Sequence, residues 1–341
     1  MSPAPGIPRH IAVIGAGIAG LSCATRLQQA GLKVTLLEKS RGPAGRMSTR
    51  RGDDWQCDHG AQYFTARHPA FRAEVARWQR AGVAGLWLPR LQVINGESAL
   101  DHDSSVERFV GIPRMTVPAR WLAAALSLRT LTTITQLQRH ADGWHLLSAE
   151  QGWLNDCFDA VILAVPAPQA VPLLPQSATG LAALAGSAVM RASWTMMLRF
   201  SAPTELAFDA AFVNREPLRW IARDSSKPGR TGAETWVLQA SAAWSEAHLD
   251  SDKESVAAIL LDAFAELGGP APNAWTAHRW RYADTNPALD ITCAWEHETG
   301  VGLCGDWLNG GKIEGAWLSG QALARQVVES AAELAARQAF R

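Results

Sequence analysis

Gly15, Gly17 and Gly20 stand at G-x-G-x-x-G spacing between the apolar run Ile11-Ala12-Val13-Ile14 and a helix-like stretch beginning at Ile18. No other feature restricts the fold as tightly. The apolar run has the length and composition of a buried strand, and the stretch after it reads as a helix to about Ala30, stopped by Gly31. A strand running through a glycine turn into a helix aims helix N–H groups at the turn, where they suit an anion. Gly15 allows the tight turn, Gly17 lets backbone approach a pyrophosphate, and Gly20 lets the helix pack on the strand. Residues 33–37 return as a second strand through Leu37 to Glu38, followed by Lys39. A carboxylate at Glu38, 18 residues past Gly20, accepts bonds from ribose hydroxyls and repels a 2′-phosphate. The spacing predicts a dinucleotide site for an adenosine without a 2′-phosphate. Replacing Glu38 is expected to weaken cofactor retention far more than the fold.

Arg9 and His10, an apolar run and then Ser22-Cys23-Ala24 also have the outline of a secretory signal. The glycine spacing decides for the strand. No apolar run reaches the ~18 residues of a membrane span; residues 160–175 come nearest and hold four prolines. A chain of 341 residues predicts two domains. Net charge is zero with no long run of one sign, which argues against nucleic acid or an anionic membrane as partner. Five cysteines, odd in number and without a CxxC pair, suit a reducing cytoplasm better than a disulfide framework or zinc site. Fifteen tryptophans are expected mainly in the core.

After Glu38 the chain enters KSRGPAGRMSTRR, where Arg41, Gly45 and Arg46 are placed to meet phosphate and ribose oxygens. This loop, DHGAQYF at 58–64 and GDWLNGGKIEGAWLSG at 305–320 resemble the FAD-binding elements of the amine oxidase superfamily. The resemblance implies an α/β (α+β) fold. It has a Rossmann-type, GR2-like FAD domain and an inserted mixed-sheet substrate domain, as in p-hydroxybenzoate hydroxylase-like and amine oxidase-like architectures. It implies that Ile134 offers backbone to the adenine and that Asp306 holds the ribityl chain. It also implies that Gly60, Ala61 and Gln62 meet the flavin, and that Ile313, Glu314, Gly315 and Ala316 approach its ring through backbone. Glycines at 305–320 are then read as room for a planar ring, whose reduced charge a helix N-terminus favours. Ala44-Gly45-Arg46 replaces the superfamily's Gly-Gly-Arg, tolerable if Ala44 has an ordinary φ. No cysteine lies within the ring-contacting run, so noncovalent FAD is expected.

The discontinuous FAD domain is expected over 1–68, 118–175 and 295–341, and the substrate domain over 69–117 and 176–294. Helices are predicted at 68–82, with Phe71, Val75 and Trp78 inward, at 118–128, and from a Ser251/Glu254 capping box to Gly268. A hairpin turns at Ala141-Asp142-Gly143, and Lys227-Pro228-Gly229-Arg230 reads as a turn.

GRMSTRR, DHGAQYFTAR, FVGIPRM, LRWIARDSSKPGR, HRWRYA and CGDWLNGGKIEGAWLSG, spread over residues 10–325, together resemble the renalase family in its bacterial form. That resemblance implies an oxidase acting on off-pathway 2- or 6-dihydro isomers of NAD(P)H. Hydride passes to flavin N5, and O2 becomes H2O2. Tyr63, Phe64 and Trp280 are then walls for the dihydropyridine, and Arg67 meets its carboxamide or phosphate. Lys312 stands where amine oxidases carry an aromatic wall. No Ser-His-Asp, Cys-His or metal-ligand spacing is present, and none is needed; no acid/base residue is assigned. His59, His278 and Arg281 have no assigned role. Two other readings stay open: an amine oxidase or desaturase of the same superfamily, and a non-catalytic nucleotide-binding sensor.

Overall fold

The computed structural model describes residues 9–94 and 106–339. They divide into two compact units, one made of the chain up to Gly45, Ala119–Met190 and from Thr285 onward, the other of Arg46–Pro118 and Arg191–Asp284.

The first unit is built on a parallel sheet with the strand His10–Ile14 at its centre. Lys33–Leu37 and Ala160–Leu163 flank it in parallel, with Ile11 opposite Val34 and Ala160. Ser127–Arg129 extends one side, Val301–Leu303 the other, and Ala294–Glu296 closes that edge antiparallel. Residues 11–14 and Ala160–Leu163 are unbroken apolar runs because both faces of the sheet are covered there. The helix Ile18–Gln29 packs against the 27-residue helix Ile313–Ala339, with Ser22 Oγ donating to the Trp317 carbonyl at 2.8 Å. Their contact depends on Gly320, where a Cβ would collide with the Ala19 carbonyl. The antiparallel strands Ile134–His140, Gly143–Ser148 and Gly152–Trp153 bury Trp144 and Leu146 with Ala12, Ile14 and Leu163.

The second unit carries a six-stranded sheet ordered Ala274–Thr285, Met190–Phe200, Glu234–Ala240, Leu218–Arg223, Ala210–Arg215, Leu91–Ile94. The helix Lys253–Glu266 buries Val256, Leu260 and Phe264 against Trp194, Trp236 and Leu238. The helix Pro69–Arg80 buries Phe71, Val75 and Trp78, the stripe its periodicity predicts. Trp78, Trp144, Trp194, Trp236 and Trp307 are fully buried, as the tryptophan excess suggests.

Two expectations need correction. The helix expected at 118–128 spans Val117–Ala123, because Ser127–Arg129 leaves it to pair with Thr35–Leu37 at the sheet edge. The cap of Lys253–Glu266 is Asp252, not Ser251: its carboxylate accepts from the Ser255 N–H at 2.8 Å and the Ser255 hydroxyl at 2.7 Å. Among the described residues no helix is long and apolar enough to cross a membrane.

Candidate functional site

The glycine turn of the first unit separates two kinds of glycine. Gly15 has φ +102°, and a Cβ there would sit 2.5 Å from the Ala164 carbonyl oxygen; one at Gly20 would collide with the Gly15 carbonyl. The protein's own packing accounts for both. Gly17 differs, because a Cβ there would meet nothing within 4 Å. It is the N-cap of Ile18–Gln29, and no side chain caps that helix. Open space before uncapped N–H groups at a helix start is what a pyrophosphate requires. The residues fit FAD.

Glu38 is 6% exposed, and its carboxylate accepts from the N–H groups of Ala16 and Ser40, each at 2.8 Å. It therefore ties the glycine turn to the end of the second strand, leaving acceptor capacity for ribose hydroxyls. Two backbone donors depend on it, so its replacement is expected to cost stability as well as cofactor retention. The Leu37 carbonyl accepts from Gly15 N–H at 2.8 Å, Ile18 is buried, Lys39 Nζ reaches Gln169 Oε1 at 3.3 Å, and Arg41 is exposed. Ala44 does not have an ordinary φ: its value is +123°, a region that favours glycine. Its N–H holds the Ala16 carbonyl at 3.0 Å, and this contact keeps the loop over the glycine turn. Gly45 follows at φ +53°, with its absent Cβ directed 3.4 Å from Gly17 Cα.

The C-terminal segment answers its glycines differently. A Cβ at Gly315 would overlap the Asn309 carbonyl, and Gly310 and Gly311 have φ of +74° and +67°. At Gly315 and Gly320 the chain's own backbone fills the room expected for a ring, and at Gly305 the Trp307 indole fills it, whereas a Cβ at Gly310 would meet nothing within 4 Å. Asp306 is buried, Ile313 and Glu314 are half-buried, Ala316 is buried, and Lys312 is exposed. Ile134 is buried where its strand opposes Ser148.

In the second unit, Arg46, Gly60 and Ala61 come together. Ala61 N–H donates to the Arg46 carbonyl at 2.9 Å, and a Cβ at Gly60 would collide with the same carbonyl. Beneath them lies a network that the sequence reading missed. Lys227, read as part of a turn, is buried. Its Nζ donates to Asp224 Oδ1 at 2.6 Å, Asp58 Oδ2 at 3.2 Å and Gln62 Oε1 at 3.3 Å. Arg230 completes the group through Asp58 Oδ2 and the Gly111 carbonyl. Burial alone would raise the Asp58 pKa, but Lys227 and Arg230 outweigh it and hold the carboxyl well below the usual range. The Asp224-x-x-Lys227-x-x-Arg230 spacing, an acid followed by two bases, is the signal that could have found it. Gln62 spends its amide here, donating to the carbonyls of Asp58 and Gly60.

The expected substrate residues divide. Phe64 is 4% exposed and packs among Phe71, Trp78 and Phe109, so its ring belongs to the core. Tyr63 is half-buried beside Trp87 and Trp220, with the Arg108 guanidinium 5.5 Å from its ring. Arg67 is exposed. Trp280 stacks on His59 at 5.2 Å, donates to the His59 carbonyl at 2.8 Å and meets His278 edge-on at 4.5 Å. His278 in turn lines a cavity of about 450 Å³ with Arg50, Trp194, Asp250, Ser251, Asp252, Lys253 and Arg279. Burial, then the charge of Arg50, lowers the His278 pKa to about 4; burial, then His278 and Arg50, lowers that of His59 to about 3. Both rings are neutral at pH 7. Asp250 pairs with Arg279 and Arg281, and Asp252 is committed to its cap, so the cavity's carboxylates are already engaged.

Residues 85–328 match the family model described as flavin containing amine oxidoreductase, and residues 13–78 match that of an NAD(P)-binding Rossmann-like domain. The chain belongs to the flavin-containing amine oxidoreductase family. An L-amino acid oxidase of Crotalus durissus cumanensis is 38% identical to this chain over 71 residues, which is 21% of the chain and 14% of that protein. A bifunctional tRNA 5-methylaminomethyl-2-thiouridine biosynthesis protein of Thiobacillus denitrificans is 27% identical over 197 residues, 46% of the chain and 32% of that protein. The chain thus spans only a minor part of the length of these relatives. Among solved structures, cyclohexylamine oxidase from Brevibacterium oxydans has a TM-score of 0.72 at 14% identity, covering 94% of this chain and 99% of that one. A putrescine oxidase bound to putrescine has a TM-score of 0.68 with the same identity and coverage. At this identity the likeness is one of fold. FAD is the cofactor that the family and the Rossmann-like unit specify.

Proposed function

We propose that this flavin-containing amine oxidoreductase is a renalase-like oxidase that returns 2- or 6-dihydro isomers of NAD(P)H to NAD(P)+. The observation that carries the reading is the cavity lined by His278, whose ring meets Trp280 edge-on. Arg50 and Lys253 line it, and its carboxylates are already engaged. Such a lining suits a phosphate-bearing substrate and opposes an ammonium. Two unit charges ~6 Å apart interact by roughly 2–3 kcal/mol at an effective dielectric of ~20.

The chain's residues then divide the work. Gly17, the N-terminus of Ile18–Gln29 and Glu38 bind the adenosine and pyrophosphate of noncovalent FAD. Asp306 and the start of Ile313–Ala339 hold its flavin end. FAD bound there would supply two-electron redox chemistry, with dioxygen as the final oxidant and hydrogen peroxide as its product. Trp280 and Tyr63 offer aromatic faces that orient the dihydropyridine, while Arg50 and Lys253 fix its phosphates. No base is required, since the oxidised ring becomes an aromatic pyridinium as electrons leave. The neutral, weakly basic His59 and His278 suit that chemistry.

Lys312, exposed to solvent, adds little charge to any pocket. What it still contributes is an absence, since no aromatic side chain stands at that position to cage an amine.

Steady-state kinetics of Arg50→Gln/Lys253→Gln test the reading. Losing two charge-assisted contacts should raise KM for a dihydro-NAD isomer about tenfold or more, with kcat held within about twofold. KM for the matching dihydronicotinamide riboside, which has no phosphate, should not move. Equal effects on both substrates would remove the cavity from phosphate recognition.

A further inference from the structure

We propose that the tip of the hairpin Ile134–His140/Gly143–Ser148 binds a divalent transition metal ion, with zinc the best match, through Asp142, His145 and Cys157. Their ligand atoms all lie within 4.8 Å of one another. His145 Nε2 is 3.1 Å from both carboxylate oxygens of Asp142, and Cys157 Sγ is 3.1 Å from the Asp142 carbonyl oxygen. A carboxylate, an imidazole and a thiol form a donor set for zinc-like ions and not for calcium or magnesium, which take oxygen ligands.

The fold brings these groups together by three separate devices. His140 pairs with Gly143 across the turn, so Asp142 projects from its tip. Residues 143 and 145 share one face of their strand, while Trp144 points the opposite way into the core. Trp144 and Phe158 exchange backbone hydrogen bonds at 2.7 and 3.0 Å, which brings the preceding Cys157 alongside residue 143. That approach needs glycine. A Cβ on Gly143 would stand 2.5 Å from Cys157 Sγ, and its φ is +145°. His140 meets His145 edge-on at 4.7 Å, close enough that a side-chain rotation brings a fourth ligand. Otherwise water completes the tetrahedron.

Binding converts the Cys157 thiol to a metal-bound thiolate and releases one proton to solvent. Nothing is oxidised or reduced. The set lies in the FAD-binding unit and shares no residue with the proposed dihydronicotinamide contacts, so it stands or falls independently of them.

Cys157 is the one cysteine that is not buried, which gives the test its readout. The FAD-loaded protein is treated with an aromatic disulfide reagent with and without zinc chloride, and zinc binding is followed calorimetrically in two buffers of different ionisation enthalpy. One zinc per chain should bind, release about one proton and slow modification of the single reactive thiol at least tenfold. Cys157→Ser should abolish the proton release and weaken binding about tenfold or more, and His145→Ala should weaken it similarly. Both side chains are half-buried outside the core, and unchanged flavin absorbance and melting temperature would confirm an intact fold. Unprotected Cys157 in saturating zinc, or equal zinc affinity in wild type and Cys157→Ser, would overturn the proposal.

Discussion

Two glycine-rich segments of the FAD-binding unit look alike in sequence and differ in what their glycines are for. At the N-terminal turn, Gly15 and Gly20 serve the fold, but Gly17 faces open space. At the C-terminal segment, Gly315 faces the Asn309 carbonyl and Gly320 faces the helix Ile18–Gln29. A glycine that makes room for a ligand and one that makes room for backbone are indistinguishable as letters. They are told apart only by what a methyl group would touch.

The largest effect expected from this contrast is at Gly315. Gly315→Ala forces a methyl group into a backbone carbonyl that has no flexible end to yield. Apoprotein stability should fall by about 3 kcal/mol or more. Urea unfolding measures it, and a loss below about 1 kcal/mol would mean the segment rearranges freely.

Glu38 stands between the two cases, because its carboxylate holds two backbone donors and, in the proposed reading, the ribose of FAD as well. Glu38→Gln keeps its size but gives the backbone donors of Ala16 and Ser40 only one carbonyl to share. One orphaned buried donor costs about 1–3 kcal/mol. Reduced apoprotein stability together with faster FAD loss on dialysis is expected. Loss of FAD with stability unchanged would restore the simpler view of Glu38 as a ribose ligand alone.

Gly17→Ala sharpens the comparison from the other side. At φ −71° and ψ 176° alanine is unstrained, so apoprotein stability should change by less than about 1 kcal/mol. FAD retention should drop tenfold or more, because the methyl group occupies the space before the helix N–H groups. The comparison must use apoproteins, since bound FAD itself adds stability by mass action. Noncovalent attachment is checked in the same experiment: acid precipitation should release all flavin into the supernatant.

The strand–turn–helix unit and the helix Pro69–Arg80 were legible because their information is local: periodicity and glycine spacing. What was hidden depends on partners distant in the chain. Asp58 meets Lys227 only through the fold, so a buried ion network read as a plain turn. Phe64 follows Tyr63 in a motif, yet Phe71, Trp78 and Phe109 claim its ring. Asp252 outcompeted Ser251 as a cap because a carboxylate one residue later reaches both the N–H and the hydroxyl of Ser255.

The smallest effect concerns Ala44, whose φ of +123° is tolerated rather than preferred. Ala44→Gly should stabilise the apoprotein by about 1 kcal/mol, strain relief exceeding the added chain entropy. A destabilised variant would show that the buried methyl group outweighs the strain.

The central claim is the substrate class, and anaerobic single-turnover mixing tests it most directly. A 2- or 6-dihydro isomer of NAD(P)H should bleach the flavin in one rapid phase, and admitting air should restore the yellow colour with peroxide formed. Simple amines and ordinary 4-dihydro NADH should bleach it slowly or not at all. Rapid bleaching by an amine, with none by the dihydro isomers, would contradict the account and establish an amine oxidase; no bleaching by any donor would leave a nucleotide-binding protein without turnover.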